Sequence, residues 1–159
     1  MPSSLLFQLA WLFPQKKNNY PDVHVVKGNG DLFWTGSMRV GIESALKMTK
    51  SSDHIMSLNN DVTLVKGSVE ELLKEANKHK KGLYGSLSLS AADKDTIVPS
   101  GTIVKSWLLN LTSHIYNSRS YSNLDSYFPV KVDILTGRSV LYPVEIFKAI
   151  GNFNSKSFP

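Results

Sequence analysis

At 159 residues, 42% hydrophobic and 19% charged, the chain suits one globular domain with a single core and leaves no room for two full domains. It has no cysteine, which excludes a disulfide framework and a thiolate zinc site and fits a cytoplasmic setting. The formal charge of +5 draws anionic partners such as nucleotides, acidic polysaccharide or lipid headgroups. A nucleic-acid partner is not expected, because the lysines are scattered and only Lys78, Lys80 and Lys81 cluster, beside a predicted helix end. His24, His54, His79 and His114 show no metal-ligand spacing.

The first apolar run, LLFQLAWLF at residues 5–13, lacks a basic leader and is shorter than the roughly 20 residues that span a bilayer. It reads as a buried amphipathic segment or an N-terminal helix, with peripheral membrane contact as an alternative. Next comes VHVV at residues 23–26, a β-branched run that enters the loop GNGDLFW at residues 28–34 and predicts a buried strand. From Thr35, the residues Met38, Ile42, Ala45 and Leu46 recur at helical spacing and predict a helix to about Met48. Gly36 and Gly41 weaken that helix, so a close backbone approach is expected there.

HIMSL at residues 54–58 predicts the second strand, stopping at the turn formers Asn59, Asn60 and Asp61. A second helix starts at Ser68, where Ser68 and Glu71 have capping-box spacing, and Gly82 is the expected stop. The alternation predicts parallel βαβ units, with the strands at 23–26 and 54–58 as neighbours and a right-handed helical crossover between them. Strands follow at 83–89 and 97–105, then a Ser/Asn/Tyr-rich loop at 117–127 and a strand near 130–135. A turn at Thr136 and Gly137 precedes a helix with Pro143 in first position and Gly151 just past its end.

In open α/β sheets ligands bind beyond the carboxyl ends of strands, where helix N-termini face anions. Both the 28–34 loop and the Asn59 to Asp61 turn have that position, although each alone is most often an ordinary turn. Their order and spacing carry more. VHVVKGNGDLFWTGSMRVGIESAL, then DHIMSLNNDVTL, then VDILTGRSVLYPVEIFKAIGNF together resemble the bacterial family 2 glycosyltransferases that build surface polysaccharides. The resemblance covers residues 23–159, which would form a partial GT-A domain, with residues 1–22 as a divergent N-terminal segment.

The resemblance implies an α/β fold, a partial GT-A nucleotide-diphospho-sugar transferase fold with a mixed, mainly parallel sheet. It implies sugar transfer from a nucleoside-diphosphate sugar to a saccharide or lipid-linked acceptor, assisted by Mg2+ or Mn2+. Asn59, Asn60 and Asp61 stand where this family carries its D-x-D motif, a reduced variant in which Asp61 would hold the metal and the two asparagines would bond ribose or phosphate. Gly28, Asn29, Asp31 and Gly36 would lie near the donor. Asp31 would repel phosphate and Arg39 would attract it. Trp34 reads as core packing, with sugar stacking as the alternative.

Asp133, Gly137 and Arg138 match the family's acceptor-side segment; the other reading is that Asp133 caps a turn and Gly137 supplies a positive φ. Relatives carry nucleoside-cradling strands before the matching region, and their acidic base comes after the F-P element, here Phe158 and Pro159. Asp133 is the one nearby substitute for that base. The expectation is therefore negligible transfer by these residues alone. The alternatives are a truncated, inactive fragment that keeps nucleotide binding and a basic module that binds anionic surfaces.

Overall fold

The computed structural model describes residues 5–8 (backbone), 23–28, 30–79, 81–124 and 129–157. They divide into two compact units, residues 1–63 with 141–159 and residues 64–140, where length alone suggested a single core.

The first unit is built on the periodicities seen in the sequence. Apolar residues at helical spacing form α1 (Phe33–Leu46), whose buried face carries Met38, Ile42 and Ala45. The run HIMSL that follows forms β2 (His54–Leu58), with its three middle residues buried. Met38, Ile42, Ala45, Ile55 and Val144 meet in one core cluster, with Leu46, Phe147 and Phe153 packed against it. Burying the Met, Ile and Val side chains contributes about 1.5–3 kcal/mol each, so this cluster stabilises the unit.

Beside β2 lies β1 (Leu5–Gln8), which pairs with it in parallel, Leu5 opposite Ile55 and Gln8 opposite Leu58. Two expectations are corrected here. Residues 5–8 form a strand and not a helix, and residues 23–26 form no strand, so the parallel neighbour of β2 is β1. Residues 23–25 are partly solvated, with Val23 and Val25 both about 40% exposed, whereas a central strand would need both faces covered. A parallel pair with α1 between its strands in the chain is retained.

The unit closes with the last three residues of β9 (Ser139–Pro143) and with α3 (Val144–Ile150). β9 lies next to β2, and Val144 N donates to Asp53 O at 3.0 Å. That bond joins the end of β9 to the start of β2, so the two strands run antiparallel. The sequence reading missed β9 because SVLYP is a short apolar run followed by proline. Pro143 precedes α3 as its N-cap instead of occupying the first position, and Gly151 ends the helix at φ +81° as expected.

The second unit holds α2 (Ser68–Lys78), β3 (Tyr84–Gly85), β4 (Ser88–Leu89), β5 (Ile97–Val98), β6 (Gly101–Ser106), β7 (Leu111–His114) and β8 (Ile134–Leu135). β4 with β5, and β6 with both β7 and β8, pair antiparallel. The fold is thus α/β with mixed pairing, and a mainly parallel sheet does not describe it. The expected strands at 83–89 and 97–105 are interrupted at residues 86–87 and 99–100, and Ser88 N donates to Ser100 Oγ at 2.8 Å between the two segments.

The capping box is absent. Gly67 at φ +88° is the N-cap of α2, and the Ser68 hydroxyl donates to Val65 O at 2.7 Å. α2 also stops four residues before Gly82, at Lys78, where the Tyr84 hydroxyl donates to His79 O and satisfies a terminal carbonyl.

Candidate functional site

The carboxyl end of β2 and the start of α1 belong to the same unit, and one side-chain bond joins them. The Trp34 indole N–H donates to Asn59 Oδ1 at 3.4 Å. Asn59 is half-buried and begins a turn in which Val62 N donates to Asn59 O at 3.3 Å. That turn leaves Asn60 and Asp61 exposed to solvent.

Trp34 is itself held edge-on by Phe153, ring centroids 6.0 Å apart and planes at 86°, a favoured aromatic geometry. Phe153 packs edge-on against Tyr142 as well. Its neighbour Asn152 donates from Nδ2 to Arg39 O at 2.9 Å. Asn152 and Phe153 therefore tie the chain after α3 to the face of α1 that carries Trp34. Residue-by-residue reading missed this support. Its signal was the GNF triplet after the proline-led helix, where a polar and an aromatic residue follow a helix stop directly.

Trp34 combines packing with exposure. One face meets Phe153 while 46% of the residue stays accessible, so both sequence readings keep a physical basis. Phe33 is 72% exposed and sits at φ +49°, a left-handed conformation that costs a non-glycine residue about 1–2 kcal/mol. Such strain gathers at binding loops. The residue holds its ring outward at the first position of α1, next to Trp34.

Among the other donor-side candidates, Gly30 adopts φ +97°, which a side chain would strain, and Gly36 is buried, with Leu32 Cβ 3.3 Å from where its own Cβ would stand. Gly28 precedes the turn and also faces Leu32. Asp31 is exposed one residue before the α1 N-cap, where a carboxylate complements the helix dipole and competes with any phosphate. Asn29 lies outside the described residues. Arg39 pairs with Glu43 at 2.9 Å along the helix, so its charge is already half-engaged.

The acceptor-side candidates Asp133, Gly137 and Arg138 belong to the second unit. Each charged group there has a structural partner. Asp133 Oδ2 accepts from Val104 N at 2.8 Å, while Asp133 N donates to Thr102 O at 2.9 Å, so the residue pins β8 to β6. Arg138 donates to Pro99 O at 2.6 Å, and Gly137 stands beside it in the turn before β9. Asp133 therefore ties two strands and does not cap a turn, which was the other reading considered for it.

Around the candidate metal residue the donor set is sparse. Among the described residues no group of three or more His, Asp or Glu gathers. A lone carboxylate with asparagine oxygens cannot retain a divalent ion by itself, but Mg2+ is commonly held by one or two carboxylates together with substrate phosphates. The residues therefore fit an ion that arrives with a diphosphate better than a resident metal.

Two titratable groups on or beside β2 are shifted by their surroundings. Burial lowers the His54 pKa, and the Asp53 carboxylate partly offsets this. Burial raises the Tyr142 pKa against the opposing hydrogen bond from Ser57. Both favour neutral side chains. No helix is long and apolar enough to cross a membrane among the described residues. Comparison with protein-family models, curated proteins and solved structures yields no significant match.

Proposed function

We propose that this chain is a GT-A-type family 2 glycosyltransferase unit that binds a cytoplasmic nucleoside-diphosphate sugar at the junction of the 28–34 loop and the Asn59 to Asp61 turn. The observation that carries this reading is the Trp34–Asn59 hydrogen bond, which joins the two segments whose spacing resembles the family. In this role Asp61 would hold Mg2+ or Mn2+ delivered with the diphosphate, and the ion would supply charge neutralisation at the departing nucleotide. Asn60 and the amide of Asn59 bond ribose or phosphate, and Phe33 and Trp34 offer ring faces to the donor. The acceptor is a saccharide or a lipid-linked saccharide.

A second reading has specific support: a catalytically inactive unit that keeps nucleotide binding. Asp133, the substitute base, already accepts from Val104 N, and Arg138 already serves Pro99 O. A general base must reach the proton that it removes.

Titration calorimetry with uridine or thymidine diphosphate tests the shared element. Binding is expected only with Mn2+ or Mg2+ present, weakened about tenfold or more by Asp61→Ala, and Mn2+ alone should give no heat. Equal affinity in wild type and Asp61→Ala removes this residue from the site. A transfer assay with a panel of nucleotide sugars then separates the two readings: turnover supports the enzyme, and binding without turnover supports the inactive unit.

A further inference from the structure

An asparagine side chain has two chemical ends, an oxygen that accepts and an NH2 that donates. Which end is left for a ligand decides whether Asn59 suits a cation or the oxygens of a phosphate or sugar. The orientation of such an amide follows from its partners. Here the partner is the Trp34 indole, which can only donate, and its Nε1–H reaches Asn59 Oδ1 at 3.4 Å. The amide oxygen is therefore turned to the indole, and Nδ2 is the end that remains for a ligand.

This orientation lasts only while the indole is itself held, because a tryptophan that is 46% exposed has other rotamers open to it. Its support is a circuit of contacts that returns to the same strand. Trp34 meets Phe153 edge-on at 6.0 Å, and Phe153 meets Tyr142 edge-on at 6.3 Å. Tyr142 is buried and shares a hydrogen bond with Ser57, which lies in β2 two residues before Asn59. Asn152 fixes the middle of the circuit: its Oδ1 accepts from Phe153 N at 2.7 Å, and its Nδ2 donates to Arg39 O on α1 at 2.9 Å.

We propose that Trp34 is a positioning residue for the nucleotide site: backed by Phe153, it engages the Asn59 amide oxygen, so that Asn59 gives its NH2 to an acceptor oxygen of the diphosphate or ribose and is not a metal ligand. The assignment rests on the nucleotide reading above and divides the turn by charge. Asp61 is the oxygen ligand for the ion, and Asn59 is the hydrogen-bond donor to the anion. A carboxylate at position 59 would restore the first acidic residue of a D-x-D motif, yet with the indole in place it would harm binding, because it has no hydrogen to give and repels phosphate.

Titration calorimetry of the full chain with uridine diphosphate and Mn2+ tests the assignment. Trp34→Phe keeps a ring and should weaken binding about fivefold. Asn59→Ala should weaken it about tenfold in the wild type but only about twofold in the Trp34→Phe background, because the amide loses its direction with the indole. Asn59→Asp should weaken binding about tenfold. The 15N-labelled chain has three tryptophans, and the indole N–H signal that Trp34→Phe deletes should shift in both Asn59→Ala and Phe153→Leu. Trp34 and Asn59 are both partly solvated, so urea midpoints of their variants should stay close to wild type. Additive effects of Trp34→Phe and Asn59→Ala, tighter binding by Asn59→Asp, or an indole signal indifferent to residue 59 overturns the assignment while wild-type binding leaves the nucleotide reading standing. No binding of uridine diphosphate by the wild type overturns both together.

Discussion

In the unit formed by residues 1–63 and 141–159, Met38, Ile42, Ala45, Ile55 and Val144 meet in one cluster. The unit formed by residues 64–140 is organised differently. Its fully buried Ile97 lies in a two-residue strand, with its N–H given to Arg119 O and its carbonyl accepting from Ser118 N. Around it, the Asp95 carboxylate collects the Ser120 and Ser122 hydroxyls and Ser122 N, and Asp93 does the same for Thr96 and Asp95 N. These bonds lower the pKa of both carboxyls. One unit is specified by periodic apolar burial and the other by polar ties between loops, so the two should respond to different substitutions.

The largest expected effect comes from the apolar cluster. Ile55→Ala should cost about 2–5 kcal/mol in urea denaturation and Ile55→Val about 0.5–1.5 kcal/mol. Leu108→Ser, which removes an equally apolar but 94% exposed side chain from the turn between β6 and β7, should stay within about 0.5 kcal/mol of wild type. Comparable losses at both positions would mean that the turn is covered in solution and would erase the contrast.

In the polar-tied unit, Tyr84→Phe removes the hydroxyl that serves His79 O and should cost about 1 kcal/mol. Amide exchange should quicken at the end of α2 and stay unchanged in β2. Uniform quickening would show that the two units open together.

At the candidate site, Phe33→Gly relieves the left-handed strain and should stabilise by about 0.5 kcal/mol, the gain being reduced by the extra chain entropy of glycine. The same substitution should weaken nucleotide binding, because it deletes the outward ring. A variant that gains stability without losing affinity would assign Phe33 no part in the site.

The smallest effect is a pH dependence located at β2. Because burial holds the folded pKa of His54 below its unfolded value, the folded state binds the proton less readily. Its contribution is fully present above the unfolded pKa of about 6.5 and is lost as pH falls through the lower folded value. Wild type should therefore lose more stability than His54→Gln between neutral pH and about pH 5.5, as read from urea midpoints. Parallel profiles would exclude His54 as the cause.

α1, β2 and α2 were legible because an amphipathic helix and a short apolar run stopped by turn formers announce themselves within a few residues of chain. Residues 23–26 looked the same, yet they are not a strand. A strand exists only where a neighbour offers unpaired backbone, and the parallel place beside β2 is taken by residues 5–8. The short strands of the second unit were blurred for a related reason: the break at Ser100 is bridged by side-chain bonds that connect residues a dozen or more apart. For the site, the sequence alone determined which residue types stand in the two loops and their spacing. It could not show that Trp34 bonds Asn59 with Phe153 behind it, nor that Asp133 and Arg138 are held by backbone partners. Those facts depend on directional contacts between segments remote in sequence, and only the folded chain brings such segments within hydrogen-bonding distance.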